Sequence, residues 1–187
     1  LAGSESLVRC THPPRGRVSP AKFIPLAEEA GLIGPIGEWV LRTALEEAAK
    51  WPDHVRVAIN LSPLQFNDPN IVPLVARHLR ETGVRAERVE LEITEGVFID
   101  DFSRVVSIFR KLKSLGVRIA MDDFGSGYSS LSYLHSFPFD KIKIDRSFIG
   151  DLEHNHHSKA IVRAIITLGH SLDVPVLAEG VETEAQR

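Results

Sequence analysis

Short stretches that alternate apolar and polar residues recur along the chain, separated by longer stretches in which apolar residues follow a helical period. Residues 88–94 alternate strictly and residues 117–122 follow the same period of two, which is typical of strands with two different faces. Between such stretches, Ile36, Val40 and Leu41 form an apolar stripe of the kind found on amphipathic helices. This repeated alternation of strand and helix predicts a parallel sheet with helical crossovers.

The pattern predicts the bounds of the strands and helices. Strands are expected at residues 1–8, 55–60, 88–94, 117–122, 141–145 and 174–180. Helices are expected at residues 20–30, 35–50, 71–81, 103–115, 129–135 and 157–172, and a further helix is expected to begin at residue 182. Ser19 precedes Pro20 and is predicted to cap the first helix. Residues 12–16 are predicted to form a turn.

The predicted strands share one polar face. If Val57 and Ile59 pack against the helices, parity places a common set on the opposite face: Arg56, Ala58, Asn60, Glu90, Glu92, Arg118, Asp122, Lys141, Lys143 and Glu179. An open doubly wound sheet is covered by helices on both faces, so a polar face favours a closed barrel. We predict an α/β fold, a TIM-like (β/α)8 barrel missing its first and last strand units, with a doubly wound sheet as the alternative. Residues 1–187 are interpreted as one domain truncated at both ends, which we expect not to fold stably alone.

Oxygen ligands are expected at the C-terminal rim of this barrel, where barrel enzymes place their sites. The rim set is Glu5, Asn60, Glu92, Asp122, Asp123 and Glu179. Without a nearby Cys or His, it suits Mg²⁺ or Mn²⁺ rather than zinc. The excess of carboxylates indicates two ions sharing a bridging carboxylate, which is the usual arrangement for hydrolysing phosphate diesters. Lys143 is expected to orient the attacking water or to offset phosphate charge.

Two alternatives to a metal site remain open at this stage. Asp122 and Asp123 could instead cap a helix, and the rim could be a set of buried ion pairs, such as Lys143 with Asp122. One layer lower, unpaired buried charge would be costly, so Glu90 is expected to pair with at least one of three cations, Arg56, Arg118 and Lys141.

Composition excludes several classes of function. A net charge of -3 gives no excess of basic residues that could bind long nucleic acid. No apolar run is long enough to cross a bilayer, and the first residues do not have the pattern of a signal peptide. Cys10 is the single cysteine, so an internal disulfide is excluded, and a reducing cytoplasm is expected. Cys10 itself is expected to be packed and unreactive, and the histidines are expected to be solvated: His12, His135, His154, His156 and His157. Three aromatic residues that could stack on a planar ligand are expected in the core instead: Phe23, Trp39 and Phe66.

Seven segments in order resemble the EAL-type domain, a bacterial phosphodiesterase family that opens cyclic di-GMP, and the resemblance covers essentially the whole chain. The segments are residues 5–9 (Glu5-Ser6-Leu7-Val8-Arg9), 19–28, 60–62 (Asn60-Leu61-Ser62), 92–95, 122–131, 143–145 and 179–182. Three positions depart from the family pattern. Ser6 replaces the Ala of the signature, Cys10 stands where Trp is common, and Ser126 replaces the commoner Thr.

The resemblance implies a role for each site residue. The first metal ion would be held by Glu5, Asn60, Glu92 and Asp122, and the second by Asp122, Asp123 and Glu179. Glu5, Lys143 and Glu179 form the catalytic group, with Lys143 beside the nucleophilic water. Arg9, Asp145 and Glu182 would contact the substrate or support the residues that contact it. Glu95 would brace the loop that contains Phe124, Gly125, Ser126 and Gly127, which couples metal binding to dimerisation in the family.

The implied activity is hydrolysis of the bacterial second messenger cyclic di-GMP to linear pGpG by a water activated between two Mg²⁺ or Mn²⁺ ions, with Ca²⁺ as an inhibitor. The expected partners are a second copy of the chain and a covalently linked sensory or diguanylate-cyclase-like domain, without membrane contact by this segment. One alternative is a catalytically silent receptor for cyclic di-GMP with the same fold. The other is a barrel hydrolase that acts on a different phosphodiester.

Overall fold

The computed structural model describes residues 3–14, 16–98, 102–125, 137, 139–152, 155–184 and 186. The strands are β1 (Gly3–Ser6), β2 (Cys10–His12), β3 (Gly16–Val18), β4 (Arg56–Leu61), β5 (Val89–Thr94), β6 (Arg118–Phe124), β7 (Lys141–Ile144) and β8 (Val176–Ala178). The α-helices are Pro20–Glu29, Ile33–Ala48, Pro63–Phe66, Ile71–Thr82, Phe102–Ser114, Arg146–Gly150 and His156–Leu172. Two 3₁₀ turns, Ala86–Arg88 and Glu95–Phe98, lie on either side of β5.

Six of these strands form one parallel sheet in the order β1-β4-β5-β6-β7-β8. Each strand therefore pairs with the sheet strand that follows it along the chain. A doubly wound sheet reverses its strand order at a switch point, and this sheet does not, so the doubly wound alternative is wrong. The fold is a curled parallel sheet of the TIM-like barrel type, as predicted.

The structure differs from the predicted elements at several short segments. The turn predicted within residues 12–16 is present at Pro13 and Pro14, but the structure adds the short strands β2 and β3 on either side of it, an antiparallel hairpin in which Cys10 pairs with Val18. The short helices Pro63–Phe66 and Arg146–Gly150 were not predicted. The described part of residues 182–187 forms a turn instead of a helix, and the predicted helix at residues 129–135 lies outside the described residues.

The main hydrophobic core lies between the sheet and its helices. The outward side chains of neighbouring strands are fully buried, as for Ile59, Leu91 and Ile119. The ring of Phe109 packs edge-on against Phe137 and Phe139, with centroids 5.0 and 5.1 Å away. Because the outward face is apolar, the polar residues of the same strands point into the barrel, as strand parity requires.

Several individual expectations can be compared with the structure. Phe66 is fully buried as expected and Phe23 is half-buried, but Trp39 is 51% exposed, so its assignment to the core was wrong. Ser19 occupies the N-cap position yet makes no side-chain cap hydrogen bond. The solvated positions expected for His12, His156 and His157 are confirmed, Cys10 is half-buried, and His135 and His154 lie outside the described residues.

Among the helices that the structure describes, none has the length and apolarity needed to cross a membrane.

Candidate active site

The inward face of the curled sheet lines an open cavity of about 300 Å³. Its lining comes from the predicted polar face and its neighbours: Gly3, Ser4, Glu5, Arg56, Ala58, Glu90, Glu92, Lys141, Lys143, Leu177 and Glu179. Strand parity therefore predicted the interior of the barrel correctly. The charges of this interior divide into two layers.

The lower layer consists of Glu90, Arg118 and Lys141, which we call the lower cluster. Glu90 is buried and forms ion pairs with Lys141 and with Arg118, whose Nε lies 3.6 Å from Glu90 Oε2. The predicted pairing of Glu90 is confirmed. Arg56, the third candidate cation, is exposed. Two cations thus surround one carboxylate in the lower cluster.

The upper layer consists of Glu92, Asp122, Lys143 and Glu179, which we call the rim cluster. Lys143 Nζ lies 2.7 Å from Glu179 Oε1, 2.9 Å from Glu92 Oε1 and 3.1 Å from Asp122 Oδ1. Lys143 and Glu92 are each only 3% exposed. The alternative of buried ion pairs is therefore partly realised, but one ammonium group faces three carboxylates and an excess of negative charge remains.

An irregularity in β6 brings Asp123 to the same place. The pairing of β6 with β7 slips between Met121 and Phe124, so β6 contains an extra residue there. Asp123 has a left-handed backbone with φ of 52°, and such bulges re-aim side chains near functional sites. Carboxylate oxygens of Asp122, Asp123 and Glu179 all lie within 4.8 Å of one another. Asp122 and Asp123 belong to β6, so the alternative that they cap a helix is wrong.

The remaining two predicted ligands form a pair beside the rim cluster. Asn60 Nδ2 donates a hydrogen bond of 2.7 Å to Glu5 Oε1. Asn60 also pairs with Glu92 in the register of β4 and β5, and the charge of Glu5 contributes to the electrostatic environment of Glu92. All six predicted metal ligands thus lie at the C-terminal rim of the sheet.

The proton affinities of the rim side chains are strongly perturbed. Burial raises the pKa of Glu92 to about 7, although the hydrogen bond from Lys143 opposes this rise. Burial, a hydrogen bond shared with Asp145 and the charge of Asp122 raise the pKa of Asp123 to about 6. Burial alone would lower the pKa of Lys143, but hydrogen bonds to Glu179 and Glu92 outweigh burial and raise it. Such shifts are typical of buried carboxylates whose negative charges outnumber the cations nearby.

The donor set of the rim fits a divalent cation. Its atoms are carboxylate and amide oxygens, the ligands that Mg²⁺ and Mn²⁺ prefer. Glu92 Oε2 is buried and has no hydrogen-bond partner among the described residues, and a buried oxygen without a partner is costly unless something fills that role. Asp122, Asp123 and Glu179 provide three further carboxylates around one point. One or two cations would supply the missing positive charge.

The turn after β6 is clamped from two sides. Gly125 N donates a hydrogen bond of 3.1 Å to Glu95 Oε1, so Glu95 contacts the loop that it was predicted to brace. On the other side, a Cβ at Gly125 would lie 3.1 Å from Phe148 Cε2 and 3.4 Å from Ile165 Cδ1. Phe124 is buried, while Ser126 and Gly127 lie outside the described residues.

The three residues predicted to contact the substrate or to support it do not form one cluster, in contrast to the predicted metal ligands. Asp145 caps the helix Arg146–Gly150 by accepting hydrogen bonds from Ser147 N, at 2.8 Å, and from the Ser147 hydroxyl. These hydrogen bonds, with that of the hydroxyl the strongest, lower the pKa of Asp145. Arg9 is exposed and donates to Val8 O at 3.0 Å. Glu182 is exposed, and its backbone N–H donates to Gln186 Oε1 at 2.7 Å.

An apolar cavity of about 360 Å³ beside Arg9 and Asn60 was not predicted. Its apolar lining includes Leu7, Pro20, Ile24, Ile33, Ile36, Val40 and Leu61. Gln65 also borders it and forms a capping box with Ser62, which fixes the turn after β4. A Cβ at Gly37 would overlap the Gln65 amide, so this glycine marks a close approach. A glycine inside an amphipathic helix, on its buried face, was the available sequence signal.

Comparisons with known proteins agree with this geometry. The chain is 44% identical over 191 residues to the bifunctional diguanylate cyclase/cyclic di-GMP phosphodiesterase MucR of Pseudomonas aeruginosa, covering 100% of this chain and 28% of that protein. An uncharacterized signaling protein of Caulobacter vibrioides is 54% identical over 186 residues, which cover 100% of this chain and 23% of that protein. The chain thus spans about a quarter of the length of these relatives.

Solved structures show the same fold. The PaMucR phosphodiesterase in complex with c-di-GMP superposes with a TM-score of 0.94 at 43% identity, covering 100% of this chain and 77% of that one. The EAL enzyme Bd1971 in its cAMP- and cyclic-di-GMP-bound form gives a TM-score of 0.93 at 32% identity, covering 99% of this chain and 52% of that one. The family description that matches residues 1–187 is the EAL domain. The chain therefore belongs to the EAL domain family, which its sequence motifs had indicated.

Proposed function

We propose that this chain hydrolyses cyclic di-GMP to linear pGpG with the aid of two Mg²⁺ or Mn²⁺ ions held at the barrel rim. The observation that carries the proposal is the rim cluster, where three carboxylates converge on one lysine and the bulge in β6 directs a fourth, Asp123, beside those of Asp122 and Glu179. Membership of the EAL family and the likeness to the PaMucR phosphodiesterase support the same substrate.

The two cations would have overlapping sets of ligands. One would be held by Glu5, Asn60, Glu92 and Asp122, and the other by Asp122, Asp123 and Glu179. Bound there, the ions would activate a water for attack and stabilise the charge that develops on the phosphate. The side chains of the rim set the positions at which these charges are held.

The remaining site residues bind and orient the substrate in this proposal. Arg9 is exposed beside the apolar cavity and offers a bidentate donor to a phosphate. The apolar walls of that cavity suit the flat face of a purine base. Asp145 and Glu182 support the ligand from the opposite side of the rim, and Glu95 keeps the turn at Gly125 in position. Lys143 adds positive charge next to the phosphate and the attacking water.

The reaction consumes one water and breaks one bond. The water oxygen forms a new bond to phosphorus, and the bond between phosphorus and the leaving ribose oxygen breaks on the opposite side. One proton of the water ends on the leaving hydroxyl group. The ring is thereby opened to a linear dinucleotide with a terminal phosphate, and the second phosphodiester remains intact.

The test is an assay of cyclic di-GMP hydrolysis by the full-length protein in Mg²⁺ or Mn²⁺, beside Glu5→Ala. Glu46→Ala, which removes an exposed carboxylate from the helix Ile33–Ala48, is the matched control. We expect pGpG from the wild type and the control, and none from Glu5→Ala. Tight binding without product in all three proteins would favour the receptor alternative. Neither binding nor product would overturn the proposal.

Two further arms test the substrate and the metal. Cyclic AMP and cyclic GMP separate a cyclic di-GMP enzyme from a hydrolase of other phosphodiesters, and we expect no turnover of either. Ca²⁺ is larger than Mg²⁺ and coordinates more loosely, so it is expected to inhibit. Undiminished turnover with Ca²⁺ as the sole divalent ion would contradict the proposed metal site.

We also propose the setting in which this activity operates. The chain would act in the bacterial cytoplasm as a homodimer, covalently linked to a sensory or diguanylate-cyclase-like domain. The fraction of each relative that the chain covers supports a linked domain. The clamp between Glu95 and Gly125 would connect the metal site to the dimer interface. Sedimentation of the full-length protein tests the dimer.

A further inference from the structure

One ammonium group lies at the centre of the rim cluster. Its three carboxylate partners, Glu92, Asp122 and Glu179, are all within 3.1 Å of Lys143 Nζ. The lysine side chain is only 4% exposed, so solvent screens these contacts little. Without a positive charge among them, the three carboxylates would repel one another. Lys143 therefore supplies the charge that a divalent cation would supply at the same place.

We propose that Lys143 is an internal substitute for the metal: it holds Glu92, Asp122 and Glu179 together when no metal ion is bound, and it competes with the metal for them. This inference rests on the proposed function, because it takes these carboxylates as metal ligands. It goes beyond that function, since it assigns to Lys143 a role in the metal-free protein and not only in the reaction.

The position of Lys143 across the strands explains how one side chain can assemble the site. It lies on β7, while its partners come from β5, from β6 and from the residue that follows β8. A single ammonium group therefore connects four successive strand units at the rim. Lysine suits this task because its flexible stem and three rotatable donors allow partners to be released one by one. Glu92 Oε2 has no hydrogen-bond partner among the described residues, so Lys143 leaves a coordination position open.

The lower cluster provides a matched control. Lys141 lies two residues earlier on the same strand and is also engaged with a buried carboxylate, that of Glu90. Arg118 remains beside Glu90 if Lys141 loses its charge. Lys143→Met and Lys141→Met thus make the same chemical change in neighbouring clusters, but only the first leaves proposed metal ligands without a cation.

The experiment is a titration of the metal-free, full-length protein with Mn²⁺, followed by calorimetry, for the wild type and both variants. We expect Lys143→Met to bind Mn²⁺ about tenfold more tightly than the wild type, because no ammonium group has to be displaced. Lys141→Met is expected to bind it as the wild type does. If Lys143→Met and the wild type bound Mn²⁺ with equal affinity, this inference would be overturned, but the proposed metal site would stand. Failure of the wild type to bind Mn²⁺ would overturn both the inference and the proposed metal site.

Thermal unfolding supplies a second readout that does not depend on catalysis. Without metal, Lys143→Met is expected to unfold at a lower temperature than Lys141→Met, and saturating Mn²⁺ is expected to remove this difference. If Lys143→Met does not fold without metal, the double variant Lys143→Met/Glu92→Gln is expected to fold, because it loses a carboxylate together with the cation. A double variant no more stable than Lys143→Met would show that carboxylate repulsion is not what the lysine offsets.

Discussion

Two clusters of buried charged side chains lie on the same strands inside the barrel, and their net charges have opposite signs. The lower cluster places two cations, Lys141 and Arg118, around Glu90. Two residues further along β5 and β7, the rim cluster has an excess of the opposite sign, with three carboxylates around Lys143. An excess of cations repels a metal ion and an excess of carboxylates attracts one, so the sign of this excess separates a structural cluster from a candidate site.

The sharpest test of this difference replaces one glutamate in each cluster. Glu92→Gln removes one proposed ligand and is expected to lower kcat/KM for cyclic di-GMP by about 1000-fold, the loss of several kcal/mol of transition-state stabilisation. It leaves Lys143 with two carboxylates, so the free energy of unfolding of the metal-free protein is expected to change little. Steady-state kinetics and denaturant unfolding of the full-length protein measure the two effects.

Glu90→Gln is the matched change in the lower cluster and is expected to give the opposite result. It leaves Lys141 and Arg118 facing each other without a carboxylate, which is expected to cost about 3 kcal/mol of stability. Its kcat/KM is expected to stay near the wild-type value at temperatures where the protein is folded. If Glu90→Gln abolished Mn²⁺ binding, the separation of the two clusters would be wrong.

A second comparison concerns the two ends of β6. Gly116 precedes the strand with φ of 96°, and Gly125 follows it with φ of 98°. Alanine at either position is expected to cost about 1–2 kcal/mol, because side chains disfavour this left-handed backbone. Only Gly125→Ala would also press on Phe148 and displace the end of β6 that carries Asp123, so only this variant is expected to lose about 100-fold in activity. Equal activity of both variants would contradict the role of the clamp.

The smallest expected effect is a pH dependence of metal binding. In the metal-free protein the pKa is about 7 for Glu92 and about 6 for Asp123, so both carboxylates hold protons as the pH falls through this range. Because Mn²⁺ must displace those protons, its affinity is expected to fall by up to about tenfold per pH unit between pH 7 and pH 6, where mainly Glu92 is protonated, and more steeply below pH 6, where Asp123 is protonated too. Above pH 7 the affinity is expected to level off. Calorimetry in buffers of different ionisation enthalpy measures the released protons. An affinity that does not change between pH 5.5 and pH 8 would contradict these shifts.

The strands and the chemistry of the rim could be predicted because both are local properties of the sequence. Strand β5 was predicted to within one residue, since its alternation is strict and its outward residues are buried. The rim ligands could be chosen because parallel strands end at the same edge of a sheet. The hairpin of β2 and β3 was missed, because strands of three residues are too short to show a period.

Other features of the site depend on contacts between distant segments. The direction of Asp123 follows from the slipped register between β6 and β7, and alternation alone would have placed it away from Asp122. The apolar cavity beside Arg9 depends on how the helix Ile33–Ala48 packs against the segment after β4. The core position expected for Trp39 was wrong because the exposed face of that helix carries it.

The sequence by itself determined which residues face the barrel interior, that successive strands pair in one parallel sheet, and that the rim carries carboxylate and amide side chains. These properties follow from side-chain periodicity and chemical type, which each segment carries alone. Only the tertiary structure decided that Lys143 contacts three carboxylates from other strand units, and that a bulge directs Asp123 beside Asp122 and Glu179. Those distances depend on the register between strands that are far apart in the chain, which no local pattern encodes.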